Sequence, residues 1–259
     1  MNHAIFIIAL FLFFSITYIN FKFNNEGFNN EGFTNEIIPH VVYQTWETSD
    51  LPQLMKKNRD KMIHDNPEFK YVLMDKDQRR QFIKENFDEK TLKAYDKLIP
   101  GAYKADLWRY CVIYKNGGIY LDIKLRNSDN FKLITLTDKE HYIKDRDEFF
   151  VNGDIGIYNA CLILKKGNEV MKKCIEQCVK NVENKYYGPN ALYPTGPGLV
   201  GKIYSEMYSD HSNMDLVYIG DENITLNGNI IIQTYKEFNQ EVPSRGSYGK
   251  LWLERRIYN

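Results

Sequence analysis

The sequence predicts an α/β domain, a mostly parallel central sheet flanked by helices, preceded by an N-terminal transmembrane helix. Three observations predict it. Helix-like and strand-like segments alternate from Ile37 onward, the first strand-like segment is a β-branched run, and Ala4 to Phe21 is almost continuously apolar. Alternation of this kind favours parallel strands joined by helical crossovers that cover the sheet. With 259 residues, of which 43% are hydrophobic and 26% charged, the chain can bury one sizeable core, so one globular domain is expected. Basic and acidic side chains balance at 34 each, and the whole-protein field gives no reason to propose nucleic acid as a partner.

In chain order, the apolar segment comes first. From Ala4 to Ile19 it is interrupted by Ser15, Thr17 and Tyr18, and it extends through Asn20 to Phe21 before Lys22, near the lower length limit for a spanning helix and longer than a typical signal-peptide core. No small-x-small cleavage pattern follows, so residues 1–21 read as an uncleaved, single-pass anchor. The α-amino group and His3 precede the span, whereas Lys22 is followed by Glu26, Glu31 and Glu36. That bias places the N-terminus inside and the following domain on the lumenal, non-cytoplasmic side. Residues 22–36 hold a tandem repeat, Phe23-Asn24-Asn25-Glu26-Gly27, Phe28-Asn29-Asn30-Glu31-Gly32 and Phe33-Thr34-Asn35-Glu36. A five-residue unit rich in Asn, Glu and Gly buries too little apolar surface to order itself, and reads as a flexible stem. The globular domain then occupies residues 37–259.

Ile37 to Trp46 reads as a buried strand whose polar C-terminal end, Gln44-Thr45-Trp46, faces a ligand or turns into the core. Leu54 to His64 follows as helix, Phe69 to Met74 as strand, Gln78 to Asn86 and Thr91 to Leu98 as helices. Ala102 to Tyr114 is a helix apolar nearly all round, which argues burial. Asn116-Gly117-Gly118 then turns into a strand over Ile119 to Leu125. Ile157 to Leu164 reads as strand, Val170 to Asn184 as a long amphipathic helix and Leu199 to Tyr208 as helix. Leu216 to Ile219 and Ile230 to Tyr235 are the last strands. Cys174 and Cys178 lie one helical turn apart and Cys111 and Cys161 lie in apolar runs, so all four read as buried free thiols.

Asp122 ends the strand after the double glycine, a position where ligands of open α/β sheets bind. Asp106 and Arg109 stand three apart on the preceding helix. They read either as an ordinary surface ion pair or, because the helix around them is apolar, as a buried pair with a specific task. Asp75-Lys76-Asp77 and Asp145-Arg146-Asp147 have a similar spelling but lack the glycines and the helix, and read as turns or helix starts.

Ala105-Asp106, Arg109-Tyr110 and Gly117-Gly118-Ile119-Tyr120-Leu121-Asp122 together resemble the Ala-Asp…Arg-Tyr…Gly-Gly-x-Tyr-x-Asp-x-Asp signature of retaining sugar-nucleotide glycosyltransferases. Within these, the chain resembles the family 32 enzymes, which include yeast α-1,6- and inositol-phosphorylceramide mannosyltransferases. The resemblance implies a GT-A fold, a nucleotide-sugar donor such as a UDP- or GDP-hexose, and a glycan, glycolipid or glycoprotein acceptor. It implies Asp106, Arg109 and Asp122 as the catalytic set. Gln44, Thr45 and Trp46 would lie beside the nucleotide, Asn159 near donor or acceptor, and Ser247 and Tyr248 over the diphosphate. One departure stands out: the second Asp of the motif is Lys124. A divalent cation, manganese or magnesium, would then be held by Asp122 with another ligand, or replaced in part by the Lys124 ammonium. A non-catalytic sugar-nucleotide-binding protein with a degenerate metal motif is the alternative.

Overall fold

β1 (Val41–Thr45) is the axis of the fold, paired in parallel with β2 (Lys70–Met74) on one side and β3 (Gly118–Leu121) on the other. The computed structural model describes residues 38–151, 153–210, 214–220, 223–238, 242 and 248–259. The expected anchor, the expected stem and Ser247 lie outside them. Among the described residues, no helix is long and apolar enough to cross a membrane.

β6 (Cys161–Leu164) pairs antiparallel with β3 and completes a four-stranded sheet in the order β2-β1-β3-β6. The crossovers between the parallel strands carry α1 (Gln53–Asp65), α2 (Lys76–Asn86), α3 (Glu89–Lys97) and α4 (Gly101–Asn116). Local chemistry starts and stops these helices. Asp75 Oδ1 accepts from the backbone N–H of Asp77 and Gln78 at 3.0 and 2.9 Å, and Gln78 Oε1 accepts from Asp75 N, a reciprocal cap. Asp75 is therefore a helix start, as its spelling suggested. α4 ends at Gly117, whose φ of 67° only glycine adopts freely; a Cβ there would lie 2.5 Å from Lys166 N. At Gly118 it would lie 2.7 Å from Val41 O, so the double glycine lets β3 close against β1.

The sheet is less parallel than expected. A second sheet, five strands in the order β4-β9-β8-β7-β5, is antiparallel except for the β5–β7 pair. Its members are β4 (Leu125–Asn127), β5 (Ile143–Lys144), β7 (Leu216–Ile219), β8 (Asn223–Leu226) and β9 (Asn229–Thr234). The expected single strand from Ile119 to Leu125 is two strands, broken by a turn in which Leu125 N donates to Asp122 O at 2.8 Å. The strand expected from Ile157 begins at Cys161.

Most of the helices cover one face of the first sheet. Tyr43, Tyr120, Leu162 and Leu164 point into a core with α2, α3, α4, α5 (Glu169–Glu183) and α6 (Pro197–Met207). Val42, Ile119, Leu121 and Ile163 point the other way, into a core shared with α1 and the second sheet. A short helix, α7 (Tyr248–Leu253), lies near the C-terminus. All four cysteines are free and buried, as expected.

Candidate active site

α4 is buried along most of its length, and this places two charges inside the protein. Arg109 Nη2 lies 3.3 Å from Asp106 Oδ1, with side chains only 7% and 10% exposed, so the pair is not an ordinary surface contact. Arg109 Nη1 donates to the Asn159 carbonyl at 2.8 Å and lies 3.4 Å from Asp122 Oδ1. The guanidinium carbon sits 4.5 Å from the centre of the Tyr120 ring. Burial disfavours the guanidinium charge, but Tyr120, Asp122 and Asp106 outweigh it and raise the Arg109 pKa.

Asp106 is occupied at both oxygens. Asn159 Nδ2 donates to Oδ1 at 3.0 Å and Thr195 Oγ1 to Oδ2 at 2.8 Å. Asn159 Nδ2 also reaches the Tyr110 hydroxyl at 2.7 Å, and that hydroxyl donates to the Thr195 carbonyl at 2.6 Å. Burial pushes the Asp106 carboxyl pKa up, against the pull of Arg109, Thr195 and Asn159. Asp106 and Asn159 thus work within the protein, locking α4, the segment before β6 and the segment before α6 around Arg109.

Asp122 has the opposite character. It stands at the C-terminal end of β3, its N–H held by the Ala160 carbonyl at 2.8 Å, with a side chain 27% exposed. Its Oδ1 accepts from the Tyr120 hydroxyl at 2.6 Å, whereas Oδ2 has no hydrogen bond among the described residues. Burial pushes the Tyr120 phenol well above its usual pKa, so it remains a donor. One carboxylate oxygen is thereby oriented and the other is open. Lys124, half-buried, lies two residues on, and its carbonyl accepts from Tyr235 N at 3.1 Å, tying the turn to the end of β9.

No group of three or more His, Cys, Asp and Glu side chains converges as a metal-binding set among the described residues. Asp122 supplies one open oxygen and Lys124 replaces the second acid, so these side chains alone do not fit a divalent cation.

The first strand is divided. Gln44 is buried, with neither amide atom hydrogen-bonded among the described residues. Thr45 Oγ1 donates to the Met74 carbonyl at 2.6 Å and accepts from Arg79 Nη1 at 2.9 Å, while Arg79 Nη2 reaches Glu47 Oε1 at 3.1 Å. Trp46 is half-buried in a satellite cluster with Met55, Ile123, Tyr235 and Phe238. Tyr248 is 38% exposed and lies 5.8 Å from the Tyr103 ring. Sequence reasoning missed the roles of Tyr110, Tyr120, Thr195 and Arg79. Tyr110 and Tyr120 sit inside the window from Ala105 to Asp122, Thr195 lies just before α6, and Arg79 carries no motif at all.

Residues 52–148 match the family described as "Glycosyltransferase sugar-binding region containing DXD motif". Inositol phosphoceramide mannosyltransferase 3 of Schizosaccharomyces pombe is 28% identical over 170 residues, covering 65% of this chain and 45% of that protein. The uncharacterized glycosyltransferase L373 of Acanthamoeba polyphaga mimivirus is 31% identical over 125 residues, covering 46% of this chain and 50% of that one. The chain spans at most about half the length of the curated relatives it matches. Among solved structures, the PaToxG glycosyltransferase superposes with a TM-score of 0.50 at 15% identity, over 66% of this chain and 70% of that one. That likeness concerns the fold. The resemblance read from Ala105 to Asp122 is shown, since that window lies within the stretch that is similar to the glycosyltransferase sugar-binding region.

Proposed function

From this kinship we propose that the chain is a membrane-anchored glycosyltransferase that moves a hexose from a UDP- or GDP-sugar to a glycan, glycolipid or glycoprotein hydroxyl, with the domain on the lumenal side of its membrane. The observation that carries the reading is Asp122: a strand-end carboxylate with one oxygen oriented by Tyr120 and Arg109 and the other open. Such an acid accepts hydrogen bonds from the hydroxyls of the donor sugar and ribose, fixing the anomeric carbon for attack. Arg109, kept charged by its carboxylates, holds Asp122 in place. Asp106 and the Asn159 carbonyl hold Arg109 in turn, and Thr195 holds Asp106.

Bond breaking at the anomeric carbon places negative charge on the departing diphosphate, and a positive group beside it lowers the barrier. Lys124 is proposed for part of that role, two residues beyond the sugar-binding acid. A divalent cation, where one is bound, supplies the same charge stabilisation. Among the described residues of the site, the carboxylate that is open is the sugar-binding Asp122 and no other general base stands beside it, in keeping with retention through front-face attack, with the leaving phosphate taking the acceptor's proton.

Lys124 also supports a second reading, a sugar-nucleotide-binding protein without turnover. Donor hydrolysis followed with and without divalent ions separates the two: turnover in either condition supports the transferase, and tight binding with none supports the binder.

A further inference from the structure

Between α5 and α6 lies a cavity of about 230 Å³. Its apolar lining is Leu199 and Ile203 of α6 with the ring of Tyr193, against which Gly198 packs so closely that a Cβ there would lie 3.0 Å from Cγ. Its polar lining includes the exposed Asn184, Lys202 and Glu206 and the half-buried Gln177. Among the described residues, the partners of Asp106, Arg109 and Asp122 all lie elsewhere, so this cavity is distinct from the candidate active site.

The polar groups at the cavity are unspent. Asn181 is used within the protein, its Nδ2 donating to the Pro194 carbonyl and its Oδ1 accepting from Gln177 Nε2, both at 2.8 Å. Gln177 Oε1 and the Asn184 amide have no hydrogen bond, and Lys202 and Glu206 no ion pair, among the described residues. Donors and acceptors are therefore both on offer, and the two charges cancel.

A second, independent observation is Tyr186, which lines the cavity and is 39% exposed. The end of α5 fixes its position. Lys185 N donates to the Val182 carbonyl at 3.3 Å and Tyr186 N to the Asn181 carbonyl at 2.8 Å, with Lys185 at φ 49°, a left-handed conformation where glycine is usual. The Tyr258 hydroxyl donates to the Tyr186 carbonyl, and Gly188 lies against the ring, where a Cβ would come within 3.2 Å of Cε1. Left-handed backbone at a lysine is costly, and here it holds an aromatic ring at the surface.

A rigid aromatic ring, an apolar wall and a neutral set of donors and acceptors call for a ligand divided in the same way. A pyranose has one face of C–H bonds, which meets the negative face of an aromatic ring, and an edge of hydroxyls that each donate and accept. Cancelling charges give an ion no advantage. The cavity is smaller than the range of about 300–1,000 Å³ typical of drug-sized ligands, and suits one ring. We propose that the α5–α6 cavity is a second saccharide site, binding a neutral hexopyranose unit that is not the one transferred. This site stands apart from the transferase reading.

The test titrates methyl α-mannopyranoside, methyl α-glucopyranoside and methyl β-galactopyranoside against the full chain by ligand-observed NMR, in a detergent without a sugar headgroup. Wild type is compared with Tyr186→Ala and with the Lys202→Ala/Glu206→Ala double variant. All three positions are exposed, and folding is checked by melting temperature in each. The expected result is saturable binding of at least one pyranoside with a Kd on the order of 1–10 mM, weakened at least about fivefold in both variants. No saturable binding of any of the three to wild type, or wild-type affinity in either folded variant, overturns the proposal. Asp122→Asn should bind the pyranoside as wild type does. Loss of binding there places the sugar beside Asp122 and also overturns the second site.

Discussion

Arg109 Nη1 lies 3.4 Å from Asp122 Oδ1 while Nη2 of the same guanidinium lies 3.3 Å from Asp106 Oδ1, so one buried cation joins an enclosed acid to an open one. The two acids come from different elements, α4 and the end of β3, and the arginine's planar fork sets their relative position. Lysine, a point charge on a flexible stem, offers no such geometry.

Arg109→Ala is therefore expected to cost about 3–5 kcal/mol of stability, because Asp106 is left buried without its counter-charge. Arg109→Lys should recover part of the stability but little of the activity. Urea unfolding and donor turnover on the two variants provide the measurement, and a loss below about 1 kcal/mol in Arg109→Ala contradicts the pairing.

Tyr120→Phe separates orientation from packing. The ring beneath the guanidinium is retained, and the hydroxyl that donates to Asp122 Oδ1 is removed. Stability should change by about 1 kcal/mol, as for loss of one hydrogen bond. Transfer should fall about tenfold as the carboxylate loses its alignment. Unchanged kcat/KM shows that the phenol does not orient Asp122.

Most of the site was legible in the sequence because one local window carries it. Asp106, Arg109 and Asp122 fall within a buried helix, a glycine turn and the next strand, and chain continuity alone brings them together. Asn159 was legible as a residue, but not as the carbonyl that holds Arg109, since that contact spans fifty residues. Gln44 was legible as a polar residue at the end of the first strand, but not as a buried one whose amide atoms have no hydrogen-bond partner among the described residues. Of the second sheet, β7 and β9 were legible as strands, whereas the two-residue β5 and the four-residue β8 were not, and their gathering into a separate sheet rests on pairings between segments far apart in the chain, such as β5 with β7. The Asn227-Gly228 pair between β8 and β9, both at positive φ, is a hairpin signal that sequence inspection could have used.

A pH dependence follows from Asp215. Burial acts to raise its carboxyl pKa, but Lys139 at 2.8 Å and His141 at 2.9 Å outweigh burial and hold it below the usual value. A depressed carboxylate stabilises the fold above its unfolded pKa, and the contribution is lost as pH falls through the folded value. Asp215→Asn should be less stable than wild type at pH 7, with the gap closing below about pH 4. Melting temperatures across that range check it, and a gap independent of pH contradicts it.

Lys124 carries a separate expectation. Should its ammonium supply part of the charge opposite the diphosphate, turnover will depend only weakly on added manganese or magnesium, and Lys124→Ala will weaken nucleotide-sugar binding about tenfold. Lys124→Asp, which restores the second acid of the motif, should make turnover depend on metal. Complete loss of wild-type turnover on chelation, with Lys124→Ala binding donor normally, refutes the role.

The most direct measurement is transfer and donor hydrolysis by Asp122→Asn, assayed with UDP- and GDP-hexoses beside its melting temperature. The side chain is partly exposed at a strand end, so the fold should survive. The account predicts turnover lower by about a hundredfold or more, with the melting temperature essentially preserved. Wild-type turnover in a folded Asp122→Asn protein would contradict it.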